Sequence, residues 1–426
     1  MKFSRLILAS FLLTTALCRL TPAADWNWPQ WRGPGQDGHT KETGLPTKWD
    51  DSSVVWRTPL KGEGQSSPVV WGERIFLTQS RNRGRQRVVL CINRNDGRIL
   101  WEKTAWTGDP EPTHKMNGWA SSTPVTDGKH VYAFFGKGGG LFCYRMDGSL
   151  AWSKSLGPFE GPWGTAASPI LNGDHVIVNG DADADSFLAA FDKTTGKVIW
   201  KVKREDKRGW SSPILIKAGG RQELVLNGHS AVRGYDPKSG KELWRVKSFV
   251  GRGTPTVTPG NNGLLYVLCG LRGDFYAVKT GGSGDVTETH MVWHTPRSGG
   301  RDLPSPIEIG KYVMVVNMRN AILTNYDAKT GKPLYRTRIG TPQYTATPIS
   351  YDGLALFLNE GGETLVVKPG PTLQVVARNR ITQKDDELFR GSIAPSDGQL
   401  FLRSTKALYC VGKRKSEGGK RKAEGG

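Results

Sequence analysis

The chain predicts an all-β fold, a single eight-bladed β-propeller whose blades are four-stranded and antiparallel. Three features lead there. A Ser/Thr-Pro-apolar element recurs along the chain, a strongly apolar strand follows each copy, and a turn with Asp and Gly then precedes a strand that usually holds a Trp. From Pro68 to Pro395 the element takes seven steps of about 47 residues, the length of a four-stranded blade. No helical period accompanies it, and no single blade can bury its apolar face alone, so the ring must form as a whole.

The elements follow in chain order. Lys2 and Arg5 precede an apolar run from Leu6 to Leu17, and Thr21-Pro22-Ala23-Ala24 supplies small residues. This pattern predicts a secretory signal over residues 1–24, with cleavage after Ala23 or Ala24. The large Leu17 before Cys18 argues against lipid attachment there. The protein is thus expected to be exported, either periplasmic or secreted. Residues 25–53 form a short Trp-rich arm, and residues 54–412 the propeller.

The repeat begins at Ser67-Pro68-Val69 and returns at Thr123-Pro124-Val125, Ser168-Pro169-Ile170, Ser212-Pro213-Ile214, Thr254-Pro255-Thr256, Ser305-Pro306-Ile307 and Thr347-Pro348-Ile349. Ala394-Pro395 is a weaker eighth copy. Apolar strands such as Arg74 to Thr78, His130 to Phe134 and Tyr312 to Val316 come next. Third strands such as Val89 to Ile92 and Phe187 to Phe191 follow. The fourth strand carries Trp101, Trp152, Trp200, Trp244 or Trp293, with Tyr335 and Val376 standing in later. After Ala407 to Val411 no fourth strand remains, but Val54-Val-Trp-Arg57 has that pattern. It is expected to complete the eighth blade and close the ring. Residues 413–426 read as a basic tail without fixed structure.

Composition excludes several classes. The 54 Gly and 25 Pro make a turn-rich chain without a collagen period. No apolar run has the length of a transmembrane helix. The formal net charge of +20 becomes +17 without the signal and about +13 without the tail as well. Such a charge serves solubility or attracts a polyanion. For an exported protein, an anionic polysaccharide or another cell-envelope component is the expected polyanion, and nucleic acid is not. Cys91, Cys143, Cys269 and Cys410 show neither a vicinal pair nor a metal-ligand spacing. Three of them occupy the third-strand position held elsewhere by Ala190 and Ala277, where a small apolar side chain fits between blades.

The turns are specific. Ala190-Phe-Asp-Lys-Thr-Thr-Gly-Lys-Val-Ile-Trp200 resembles the Ala-x-Asp-x-x-Thr-Gly-Lys-x-x-Trp repeat of pyrroloquinoline-quinone (PQQ) propellers. Tyr235 to Trp244 and Tyr326 to Lys332 follow it closely. Trp28-Pro-Gln-Trp-Arg-Gly-Pro34 resembles the opening of exported bacterial PQQ-like repeat proteins. That group includes relatives of the outer-membrane assembly lipoprotein B, a binding scaffold, and true quinoprotein dehydrogenases. The resemblance therefore implies the fold and leaves two functions: a non-catalytic scaffold, or a quinone-dependent oxidoreductase with PQQ and Ca²⁺ at the channel mouth. The dehydrogenases carry a vicinal disulfide over the cofactor and a Glu, Asn and Asp set for Ca²⁺. Neither can be aligned here, which favours the scaffold, as a monomer that engages a protein partner or an anionic or carbohydrate ligand.

Candidate site residues come from the loops that enter the innermost strands, since these open onto one mouth of the channel. Around the ring they are Gln65, Trp119, Trp163, Arg208 with Trp210, Arg252, Arg301, Gln343 with Tyr344, and Arg390. Indole faces beside guanidinium groups suit a ring-shaped or anionic ligand; the same residues could instead seal blade junctions. Asp181, Asp183 and Asp185 alternate after a strand, as a solvated hairpin turn or a Ca²⁺ set would. The insertion Thr107 to Gly118, with His114, reads as a mobile loop. Gly136 to Gly140 reads as a hairpin turn rather than a phosphate cradle. No hydrolase, zinc or phosphate-loop motif occurs, and no carboxylate pair suits a glycosidase.

Overall fold

The computed structural model describes residues 26–249, 252–270, 273–297, 303–384 and 386–414. The expected signal, Arg301 and most of the basic tail lie outside them. Eight sheets carry the chain. In blade 1 the strands Val69–Trp71, Arg74–Arg81, Gln86–Asn93 and Ile99–Thr107 follow one another outward, each antiparallel to the last. Six more blades repeat this order. The eighth takes Ala394–Ser396, Gln399–Arg403 and Ala407–Gly412 and receives Val54–Pro59 as its outer strand. The ring closes on that strand, as the sequence leads one to expect.

Second and third strands are buried at almost every position, while outer strands are half open. Neighbouring blades cover both faces of the inner strands. Their sequences are therefore continuous apolar runs rather than an alternating pattern. The Trp of each outer strand sits opposite a small third-strand residue: Trp101 against Cys91, Trp152 against Cys143, Trp200 against Ala190, Trp293 against Ala277 and Trp56 against Cys410. These indoles reach the next blade. Their Nε1–H groups donate to the carbonyls of Met146, Lys193, Pro237, Ala328 and Arg94 at 3.0 to 3.2 Å. The acceptor lies in the Asp-Gly turn of that neighbour. In blade 3, Asp192 folds the turn by accepting from the N–H groups of Thr194 and Thr195 and the Thr195 hydroxyl.

Several details differ from the expectation. Trp244 turns back onto Glu223 of its own blade, and Gly284–Asp285 adds a short parallel strand outside that blade. Ala377, not Val376, occupies the Trp position of blade 7, opposite Val366. The Gly-rich segment Gly136–Gly139 makes one helical turn.

The Ser/Thr-Pro repeat proves to be a hydroxyl repeat. The backbone N–H of Ser67 donates to Thr123, Thr123 to Ser168, Ser168 to Ser212, Ser212 to Thr256, Thr256 to Ser305, Ser305 to Thr347, Thr347 to Ser392, and Ser392 back to Ser67. All eight bonds measure 2.8 to 3.1 Å, and they form a closed circle. Aligning on proline therefore misplaces two blades by two residues. The ring members are Thr256, not Thr254, and Ser392, not Ala394, because the circle needs a hydroxyl and is indifferent to the proline.

The arm does not stay outside. Trp28 exchanges two backbone bonds with Val70 of blade 1, and Pro29 accepts from Thr126 of blade 2. Gln36 accepts from Leu215 of blade 4. The Arg32 guanidinium, 2% exposed, donates to Thr258 of blade 5 at 3.1 Å and to the Pro306 carbonyl at the start of blade 6 at 3.0 Å. Gly38 and Thr40 bond Ser350 of blade 7, and the Trp26 carbonyl accepts from Ser396 of blade 8. The segment lies across the inner strands and closes one end of the channel.

Candidate functional site

The chain turns inward at Gln65, reaches the ring at Ser67 and starts its innermost strand at Val69; every blade repeats this entry. Side chains just before the ring therefore stand around the open end of the channel. There they enclose a cavity of about 320 Å³. Its wall includes Gln65, Trp163, Trp210, Arg252 and Arg390 of the predicted set. Six hydroxyls of the ring, Leu303 and Thr345 also line it, and Trp31 reaches it from the arm.

Trp163 and Trp210 face each other with centroids 6.2 Å apart and planes tilted by 37°. The Trp210 indole donates to the Gly164 carbonyl at 2.9 Å, and the Asn117 amide to the Trp163 carbonyl at 2.8 Å. Two guanidinium groups lie on Trp163, Arg252 at 4.2 Å and Arg208 at 4.3 Å from the centroid. Such contacts orient the guanidinium groups over the indole. Arg390 is held by Glu360 through two bonds of 3.0 and 3.3 Å.

Other predicted positions face elsewhere. Arg208 stands outside the lining and pairs with Asp183. Trp119 donates to the Glu111 carbonyl at 2.7 Å and packs against Arg87, which Glu111 also binds. It anchors the insertion rather than the cavity. Tyr344 is fully buried between blades 6 and 7, and burial pushes its phenol well up. Gln343 is exposed, with its carbonyl accepting from Glu360. Arg301 lies outside the described residues.

The insertion is pinned, contrary to the expected mobile loop. Its residues His114, Met116 and Asn117 line the cavity, and the Lys115 carbonyl accepts from Arg390 at 3.4 Å. It roofs the mouth from blade 1 to blades 3 and 8. Residues 107–118 carry no period, which is why the sequence alone conceals this. The third Trp of the arm, Trp31, was the available hint of the floor.

The three aspartates part company. Asp181 is buried, not solvated, and binds Arg204 through bonds of 2.7 and 3.2 Å, with Asp206 on the same guanidinium at 2.8 Å. Burial pushes its carboxyl up against the pull of Arg204. Asp183 pairs with Arg208, and Asp185 points to solvent. Among the described residues, no group of three His, Cys, Asp or Glu is placed to hold a metal. No Asp or Glu lines the cavity among the described residues. The described wall thus offers none of the carboxylates that a Ca²⁺ site usually includes. Its indoles and guanidiniums fit an anion or a flat ring. Cys91, Cys143, Cys269 and Cys410 are all buried, and burial pushes the first three up to about 12, so these thiols are inert.

Comparison with known proteins agrees with this architecture. Tetrathionate hydrolase of Acidithiobacillus ferrooxidans is 21% identical over 303 residues, which cover 64% of this chain and 53% of that protein. The chain thus spans about half the length of this relative. Among solved structures, BamB from Moraxella catarrhalis superposes with a TM-score of 0.61 at 14% identity, over 85% of this chain and 98% of that one. Quinohemoprotein alcohol dehydrogenase from Comamonas testosteroni gives 0.68 at 11% identity, over 92% and 81%. At these identities the likeness is one of fold. The family model described as outer membrane protein assembly factor BamB matches residues 40–156, 84–334 and 228–385. With its Asp-Gly turns, clasping indoles and eight closed blades, the chain belongs to this family of PQQ-like propellers.

Proposed function

We propose that this is an exported, non-catalytic binding propeller that takes an anionic or carbohydrate ligand into the cavity at its channel mouth. The observation that carries the reading is the composition of the wall. Trp163 and Trp210 offer apolar faces, Arg252 and Arg390 offer guanidinium groups, and no carboxylate lines the cavity among the described residues. Indole faces stack on sugar or quinone rings, and guanidinium groups pair with carboxylate or sulfate. A relative named for acting on tetrathionate, a dianion, is consistent with anion chemistry on this fold. Export rests on the N-terminal pattern of residues 1–24.

The second reading, a quinone-dependent dehydrogenase, is favoured by the likeness to quinohemoprotein alcohol dehydrogenase. Weighing against it is the want of carboxylates for Ca²⁺ among the described residues of the cavity wall. Titration of the purified protein with glucuronate, and separately with PQQ in the presence and absence of Ca²⁺, decides between the two through Trp fluorescence. The binding reading expects saturable, Ca²⁺-independent quenching, weakened about tenfold or more in Trp210→Ala and Arg252→Gln. Ca²⁺-dependent PQQ binding, with reduction of an artificial electron acceptor by an alcohol, would overturn it in favour of the dehydrogenase.

A further inference from the structure

The hydroxyl circle has a chemical side that its structural role leaves unused. Six of its members line the cavity: Ser67, Thr123, Ser168, Ser212, Thr347 and Ser392. Each accepts the backbone N–H of the blade before it. None of the six donates its own proton to another described protein atom. Thr256, which does not line the cavity, donates instead to the Ser212 carbonyl at 3.4 Å. A hydroxyl that accepts from an N–H becomes a better donor, because each bond in a chain polarises the next. With one lone pair engaged, its remaining strong option is the O–H.

Six such protons border one cavity. They lie two residues further into the channel than Gln65, so they sit deeper than the indole pair. The charge around them decides what they meet. The guanidinium groups of Arg252 and Arg390, the latter held by Glu360, line the same cavity and no carboxylate does among the described residues, so the wall presents donors that suit an oxyanion better than a cation. Short, fixed hydroxyl donors beside guanidinium groups are the usual partners of oxyanions.

We propose that the ring is an oxyanion site on the channel axis. It takes the sulfate, sulfonate or carboxylate group of a ligand whose remaining body lies against Trp163 and Trp210. This rests on reading the cavity as a ligand site and adds the headgroup and its direction of entry. Trp31, on the plugging arm, limits how deep the headgroup goes, because it closes the cavity from the other end of the channel.

The test uses sodium sulfate as probe, titrated at constant ionic strength set with sodium chloride and followed by Trp fluorescence. Glucuronate and glucose serve as a charged and a neutral pair. The proposal expects saturable sulfate binding, and glucuronate binding at least about tenfold tighter than glucose. Ser168→Ala and Ser392→Ala should each weaken sulfate about tenfold, while Ser168→Thr, which keeps both the accepting oxygen and the proton, stays within about twofold. Should the alanine variants fail to fold, crystals of the unaltered protein soaked in selenate replace them. An anomalous peak within hydrogen-bond reach of the ring hydroxyls supports the site, and a peak elsewhere or none overturns it. Sulfate affinity that falls in Arg252→Gln yet is untouched in both alanine variants overturns the ring and leaves the cavity reading standing. Glucose bound as well as glucuronate does the same. If none of the probes binds, both readings fall.

Discussion

Glu308 is buried with its Oε1 facing no donor, while its Oε2 accepts from Asn261 at 3.2 Å. Burial, with the like charge of Asp37 adding to it, pushes the carboxyl up to about 7 from its ordinary 4.5. His39, itself lowered by burial, bonds the Glu308 backbone, and Arg32 lies near the imidazole. The folded protein thus holds a proton that the unfolded chain releases near 4.5. Stability from this group should fall as the pH rises from about 4.5 to about 7 and then level off. In Glu308→Gln that slope should vanish, and melting at pH 8 should occur above the wild-type temperature. Thermal unfolding at several pH values reads this directly. A variant that melts lower than wild type at every pH would show that Glu308 is needed as an acid. Nothing in the sequence singles out this residue, since its burial depends on a segment some 270 positions earlier.

At the scale of the element, the outer-strand Trp and the turn glycine it covers act as one clasp. Gly196 has a φ of +69°, and a Cβ there would stand 2.7 Å from the Trp152 ring. Gly173 has a similar φ of +57° in another turn of the same blade, yet a Cβ there would meet nothing within 4 Å. Both alanine variants bear the left-handed backbone strain of about 1–2 kcal/mol. Gly196→Ala adds the displacement of an indole, for a total of about 3 kcal/mol or more. Urea unfolding should separate the two; equal losses would mean that the clasp yields freely. These clasps were legible because Trp, Asp and Gly recur at fixed offsets. The exceptions were not. Ala377 replaces the indole without any turn signal, and the insertion at 107–118 is fixed by Arg87, Glu111 and Trp119 through contacts that leave no period behind.

Across the whole molecule two devices hold the ring: the hydroxyl circle on the inside and the arm across its end. Trp28, 1% exposed, packs with residues of blades 1, 7 and 8. Trp28→Ala should cost about 3–5 kcal/mol, as large truncations in a packed core do. Denaturant titration would reveal a loss below about 1 kcal/mol if the arm were a loose cover instead. The blade number and the closing strand were legible because a repeat announces itself many times over. The arm's destination was not, since it occurs once and its partners are spread over the whole chain. Five of the ten predicted mouth residues line the cavity, for a related reason. Loops at equivalent places in a repeat face the same way, but the roof and the floor come from segments outside the repeat.

The arm also orders events in time. Residues 26–40 are made before the blades that seat them, and their seats on blades 6, 7 and 8 arrive last, the final one with Ser396. The strand Val54–Pro59 waits longer still, for Ala407–Gly412. The arm can meet blades 1 and 2 early, but it cannot be fully seated until nearly everything else has been made. A chain that stops just short of residue 407 keeps these seats of the arm yet leaves Val54–Pro59 without its partner strand, so the ring has its lid and no closure.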